Sequence, residues 1–320
     1  MQPSIAIVGN LNLDLLMGPL ERPPEFGREV FVGERSLRTG GQAFYPAIAL
    51  AALGDAPCLI SEVGDDAFGR QILDDLRAGG VDTGTVRVCA GRPTGLSVAL
   101  LNEQRDRAFI THAGHLAEMS AGSIMEHWAS LTACRFMLLC GYNILPGLRP
   151  DGGLAVMRLA HDAGLTTVLD TGWDPDDWRT GMREEVLAML PHTSIFMPNW
   201  EEARALTGLD DPADAARELV GYGAQMVILK LGPDGALALG GGRRLRVGTL
   251  PTVVADTVGA GDSFNAGTLY ALAHDWPLDA ALRLGAAVAG YAIADHAPRY
   301  PTLEQARGLM AQVPVIGTGG

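Results

Sequence analysis

The sequence predicts an α/β fold: a doubly wound, mostly parallel sheet flanked by helices, with a small second sheet attached. Two observations predict the main layer and a third predicts the attachment. Several short runs are apolar throughout rather than alternating, the pattern of strands buried on both faces. Between them lie segments with apolar residues at helical spacing, several stopped by glycine. Three further stretches alternate polar with apolar residues and have no helix between them, as half-exposed strands do.

Along the chain, "SIAIVG" reads as the first buried strand, and "NLNLDLLM" (10–17) and "REVFVGERSLR" (28–38) as half-exposed ones. "PAIALAALG" is a helix stopped at Gly54, "APCLISEVG" a buried strand, and "FGRQILDDLRAGG" a helix closed by Gly79 and Gly80. The third alternating stretch, "TGLSVALLNEQRDRAFITH" (94–112), reads as a hairpin turning at "NEQRD". Strands "FMLLCG", "TTVLD", "SIFMP" and "QMVILK" then interleave with helices "GLAVMRLAHDAG", "EEARALTG" and "ADAARELVGYG". This alternation calls for parallel strands joined by crossover helices. "SFNAGTLYALA" is helical, and the tail "GTGG" reads as loose. The reading is one domain over 1–320, with 10–17, 28–38 and 94–112 as a small sheet serving as a lid over a cleft or as an interface.

At 320 residues, 48% of them hydrophobic, the chain can bury a large core. Its 37 acidic residues outnumber 24 basic ones, and no Lys/Arg run occurs, which argues against nucleic acid and anionic membranes as partners. No apolar run approaches a membrane span, and the start "MQPSIAIVGN" lacks the basic flank of a signal peptide. Cys58, Cys89, Cys134 and Cys140 are scattered without a C-x-x-C pair and read as reduced, buried thiols of a cytoplasmic protein. Seven histidines form no H-E-x-x-H, and His112 with His115 offers two ring nitrogens at most, so zinc chemistry is not indicated.

Chemistry is concentrated in "DTVGAGDSFNAG", Asp256 to Gly267, where Gly259, Ala260 and Gly261 stand directly before Asp262 at the start of a helical pattern. Small residues there can serve close packing, with Asp262 an ordinary first-turn acid. Alternatively, the uncovered N–H groups form an anion cradle with Asp262 as a base beside it. An esterase G-D-S reading with Ser263 as nucleophile lacks a histidine three residues after any aspartate. The P-loop pattern is absent, and Phe264 breaks a dinucleotide glycine motif.

Five stretches, spanning nearly the whole chain, resemble the ribokinase-like, phosphofructokinase-B (pfkB) family of sugar kinases. "DTVGAGDSFNAG" resembles the family's C-terminal signature, and "GGQAFYPAIALAALG" its N-terminal one. "GNLNLD" resembles the first strand with its substrate-binding aspartate, here Asp14. "PNWEEARALTG" matches the N-x-x-E element through Asn199 and Glu202, and "LKLGPDGALAL" the nucleotide-binding turn through Lys230, Gly232 and Gly235. The resemblance implies ATP-dependent phosphorylation of a small carbohydrate. Asp262 would be general base, the 259–262 backbone would hold the transferring phosphoryl group, and Gly40, Gly41, Asp14 and Tyr45 would bind substrate. Glu202 and Asn199 would organise Mg²⁺ through water, and Asp170 would be a second magnesium neighbour or a helix cap.

Two departures stand out. Many relatives carry a sugar-binding Asn where this chain has Tyr45, followed by Pro46. Tyr45 either reshapes the pocket, even offering a stacking face to a nucleoside base, or packs in the core beside Phe44. Asp256 and Val258 match half of a monovalent-cation (K⁺) site, but Tyr291 to Pro301 lacks the glycine turn that supplies the other half. K⁺ dependence is therefore in question. Alternatives to a sugar kinase are a nucleoside kinase and a non-catalytic sugar or nucleotide binder. The apolar face of "VFVGERSLR" leads to the expectation of a homodimer through the small sheet.

Overall fold

The computed structural model describes residues 4–104, 107–179 and 181–319. The chain opens with β1 (Ile5–Val8), β2 (Asn12–Leu20) and β3 (Glu34–Gly40), then α1 (Phe44–Ala52), β4 (Cys58–Gly64), α2 (Ala67–Ala78) and β5 (Val86–Cys89). Strands β6 (Leu96–Asn102) and β7 (Arg107–His112) follow, then short helices α3 (Ala121–Met125) and α4 (Trp128–Thr132), and β8 (Phe136–Cys140). The alternation continues through α5 (Gly152–Asp162), β9 (Thr166–Asp170), α6 (Met182–Met189), β10 (Ile195–Phe196), α7 (Trp200–Thr207), α8 (Pro212–Gly221) and β11 (Met226–Lys230). The last part holds β12 (Ala236–Gly240), β13 (Arg243–Val247), α9 (Ala260–Ala273), α10 (Leu278–Ala292), α11 (Leu303–Met310) and β14 (Val315–Gly319).

The main sheet runs β14-β13-β12-β11-β10-β9-β8-β1-β4-β5. Every pair from β11 to β5 is parallel, and β11 to β14 form an antiparallel edge. β1 explains its unbroken apolar character. Ile5 and Ile7 enter the core beneath α1, α9 and α10, while Ala6 and Val8 enter the opposite core beneath α5, α7 and α8. Both faces are covered, so no strand position is free to be polar. The chain winds from β1 to β4 and β5 on one side and returns at β8 to build the other. The strand order therefore reverses at β1 and β8, and the crevice beyond their carboxyl ends is where open α/β sheets bind ligands.

The tail read as loose is instead part of edge strand β14, which pairs with β13 through Thr318. The β12–β13 hairpin also went unread, although "GGG" between two apolar stretches is a turn signal.

The small sheet runs β3-β2-β6-β7. Its register sets Arg38, Asp14, Ser97 and Thr111 in one row and Leu37, Leu15, Val98 and Ile110 in the next. Successive residues of a strand point to opposite faces, so one face is polar at this level and the other apolar. The stretch expected over 28–38 enters the sheet only from Glu34, and Phe31 before it is exposed. Residues 105 and 106, in the expected hairpin turn, lie outside the described residues. No helix among the described residues is long and apolar enough to cross a membrane. The four cysteines are buried and free.

Candidate active site

Side chains from the small sheet, α1 and the α9 start converge on one cavity of about 320 Å³ over the β1–β8 crevice. Its walls include Asn10, Asp14, Arg38, Gly41, Tyr45, Val258, Gly259 and Asp262. Residues predicted separately as substrate-binding and catalytic thus share one chamber. Larger hollows of about 400 and 490 Å³ lie beside Asp211 and beside Leu20. Neither contains the buried acids described below.

On the substrate side, Asn12 donates to Asp14 Oδ1 at 2.8 Å, fixing the carboxylate. Gly40 is bare because a Cβ there would lie 2.2 Å from Asp14 Oδ2. At Gly41 φ is +110°, and a Cβ would meet the Asn10 carbonyl at 2.3 Å. Tyr45 is only 5% exposed. Its ring packs against Gly259, whose Cβ would come within 2.9 Å of it, and the Arg299 guanidinium lies 5.3 Å from the ring centroid. Both alternatives for Tyr45 therefore hold in part: the ring lines the cavity and is packed. No open face remains on which a base could stack. Burial, followed by the Asp14 charge, pushes its phenol well above the ordinary range.

Gly259, at φ +74°, caps α9 and turns the chain into it. The Ala260 N–H is directed at the Thr257 carbonyl (3.2 Å), whereas no acceptor among the described residues meets the Gly259 or Gly261 N–H. The cradle expected from four N–H groups thus has at least one already engaged. Ser263 Oγ donates to the Gly259 carbonyl at 2.6 Å, so this hydroxyl is a strut of the turn and no nucleophile.

Behind the cradle, Lys230 at the end of β11 donates to Asp170 Oδ2 at 2.5 Å, and Asn265 donates to the same oxygen at 2.5 Å. Lys230 Nζ lies 3.4 Å from where a Cβ of Gly261 would stand. Asn199 and Glu202 form a reciprocal capping box at the start of α7: the Asn199 amide and backbone donate to the two Glu202 oxygens at 2.7 and 2.9 Å. This is the geometry of a helix cap, yet Glu202 is 3% exposed rather than on the surface. Burial, then the Asp170 charge, raises Glu202 to about 7. Burial, then Asp170 and, more weakly, Glu202, raises Asp262 to about 8 against the opposing pull of Lys230. Three acids lie near one ammonium, which pairs with Asp170, and the cost of ionising all three is what a hard, oxygen-seeking divalent cation would relieve. Glu202 has both oxygens engaged by Asn199, which suits contact with a hydrated Mg²⁺ through water rather than direct ligation.

Gly232 (φ +57°) and Gly235 (φ +86°) shape the turn between β11 and β12. A Cβ on Gly235 would meet the Val247 carbonyl at 2.0 Å, so packing against β13 alone demands glycine there. Asp256 and Val258 are adjacent to the cavity but already engaged: Arg38 pairs with Asp256 Oδ2 at 2.5 Å, and Arg299 donates to the Val258 carbonyl. Sequence reasoning missed Asn265, Arg38 and Arg299. Asn265 was visible as the one amide of α9, three residues after Asp262. Arg38 and Arg299 reach the loop through sheet register and a distant turn, which no local pattern reveals.

The pfkB family carbohydrate kinase model matches residues 2–306. A 5-dehydro-2-deoxygluconokinase of Geobacillus kaustophilus is 28% identical over 310 residues, covering 93% of this chain and 90% of that protein. Arabidopsis thaliana ribokinase, solved with ribose and ATP, superposes with a TM-score of 0.83 at 25% identity, covering 97% and 99% of the two chains. A PfkB protein from Polaromonas superposes with a TM-score of 0.78 at 27% identity, covering 95% and 99%. With a family match over almost its full length and a ribokinase fold, this chain belongs to the pfkB family of carbohydrate kinases, and its reaction is the ATP-dependent phosphorylation of a carbohydrate hydroxyl.

Proposed function

We propose that Asp262 is the general base of this kinase and that the backbone of Gly259 and Gly261, at the start of α9, is the anion hole. The observation that carries the reading is the shared cavity: Asp14 and Asp262 line one chamber from opposite elements. Asp14, held by Asn12, accepts hydrogen bonds from sugar hydroxyls and aims a third hydroxyl at Asp262. Asp262 takes that proton as the oxygen attacks the γ-phosphate. The positive end of α9 and its bare N–H groups stabilise the charge spread over the phosphoryl oxygens. Lys230, held by Asp170 beside Gly261, lies on the phosphate side. Glu202 and Asp170 would hold Mg²⁺ through water, and the bound ion would neutralise charge on the phosphates.

For substrate, a sugar acid of the 5-dehydro-2-deoxygluconate kind is the first candidate, since the similar Geobacillus protein is named for it. Arg38 supports an acidic sugar: it lines the cavity, and its Nε and Nη2 have no hydrogen-bond partner among the described residues. The small sheet acts as a lid on this chamber within a single 1–320 domain, and its apolar face joins two subunits. The four free thiols suit a cytoplasmic enzyme, and neither nucleic acid nor membrane has a place in the reaction.

The test is ADP release over a panel of 5-dehydro-2-deoxygluconate, neutral sugars and nucleosides, with the parent and Asp262→Asn. The substitution keeps shape but cannot accept the proton, and turnover is expected to fall by about 10²-fold or more with ATP binding retained. Near-parental turnover in Asp262→Asn would refute the base assignment.

A further inference from the structure

The oxygens that match half of a monovalent-cation site do not fit such an ion here, because two arginines from distant elements already hold them. Arg38, on β3, pairs with Asp256 Oδ2 at 2.5 Å, and Asp256 Oδ1 accepts the Val258 N–H at 3.0 Å. The carbonyl of Val258 accepts from Arg299 Nη2. Arg299 Nε donates at 3.2 Å to the Ala292 carbonyl at the end of α10, so one guanidinium ties the loop to that helix. The next carbonyl, that of Ile293, accepts the N–H groups of Ala255 and Asp256 at 2.8 and 3.1 Å. Tyr45 and Tyr300 flank the same guanidinium, with ring centroids 5.3 and 5.7 Å away. A bound K⁺ would need these oxygens while standing beside a fixed like charge.

We propose that Arg299 is the resident cation of this loop and makes the kinase independent of K⁺. A guanidinium donates in fixed directions and stays protonated at any working pH, so it can order a carbonyl and supply positive charge permanently. Its reach is through Val258 to Gly259, the residue that turns into α9, and through Tyr45, whose ring supports Gly259. Arg299 is thus a positioning residue for the anion hole and does not touch the reacting atoms. The inference rests on the proposed role of the Gly259–Asp262 turn, but K⁺ binding itself can be read without catalysis.

The test compares potassium chloride with tetramethylammonium chloride at equal ionic strength, reading both thermal melting and ADP release. For the parent, both readouts are expected to be the same in the two salts. Arg299→Met is expected to lower kcat by roughly 10- to 100-fold while changing the KM for ATP less, as a misplaced loop does. Its melting temperature should now rise with K⁺, and guanidinium ion should restore part of the turnover. Arg299→Lys, which keeps a charge, should retain more activity than Arg299→Met; it also serves if the Met variant does not fold. A K⁺-specific rise in the parent's melting temperature overturns the proposal even if no substrate is found, and so does parental turnover in Arg299→Met without added cation. If both readouts hold for the salts but Asp262→Asn stays active, the base assignment fails and the inference about the ion stands.

Discussion

Asp262 is an acid whose charge is resisted by its surroundings. Burial and the nearby Asp170 hold it to about 8, far above a free aspartate, which makes it a stronger base once ionised. The sign follows directly: below 8 the carboxyl is mostly protonated and cannot accept the hydroxyl proton. The kcat/KM for sugar should therefore rise about tenfold per pH unit between roughly pH 6 and 7.5 and flatten above 8. A pH–rate profile flat across that range would contradict the assignment. Tyr45 belongs to the same scale. Its hydroxyl has no hydrogen-bond partner among the described residues, whereas its ring supports Gly259. Tyr45→Phe should leave stability within about 1 kcal/mol of the parent. Tyr45→Asn, which deletes a packed ring, should cost about 3–5 kcal/mol in urea unfolding. An unchanged urea midpoint in the Asn variant would mean that the ring is not part of the packing.

Among the elements, α9 reaches the cavity with a start of small residues and meets α10 through a glycine in its body. Gly267 of α9 and Gly285 of α10 face each other so closely that a Cβ on the first would lie 2.9 Å from the Cα of the second. This crossing seats α9 deep in the core with its first turn at the crevice, and the start inherits that rigidity. Gly259→Ala meets two obstacles, a left-handed backbone and the Tyr45 ring 2.9 Å from the new Cβ. The backbone alone costs roughly 1–2 kcal/mol. Activity should fall more than tenfold with a lowered melting temperature, and parental kinetics in this variant would remove the backbone argument for the cradle. The motif was legible because glycine-rich turns and helix starts are local. The capping box of Asn199 and Glu202 was legible too, as spacing. What the spacing hid is that α7 begins inside the molecule, where Glu202 is buried near Asp170 and Asp262.

At the scale of the molecule, the small sheet shows a polar row towards the cavity and an apolar row away from it. Leu37 and Ile110, at the ends of that apolar row, are exposed, and no element among the described residues covers them. A second copy of the sheet is the occupant that suits this face. Light scattering at micromolar concentration should report a dimer, and Ile110→Asp should give monomers. A monomeric parent would overturn the interface.

Local patterns predicted the parallel core, most of the strands and helices around it, and the glycine turn into α9, but neither the β12–β13 hairpin nor β14. Hydrophobic period, glycine stops and helix-start chemistry act over a few neighbouring residues, so they are written locally. Long-range packing brings Asp170, Glu202 and Asp262 near Lys230, which pairs with Asp170, and sets Arg38 on Asp256 across 218 positions. It alone placed Arg299 on the Val258 carbonyl and drew the C-terminal tail into the sheet edge. Charge balance and edge pairing are sums over residues far apart in the chain, fixed by strand order and register, and no window of sequence contains them.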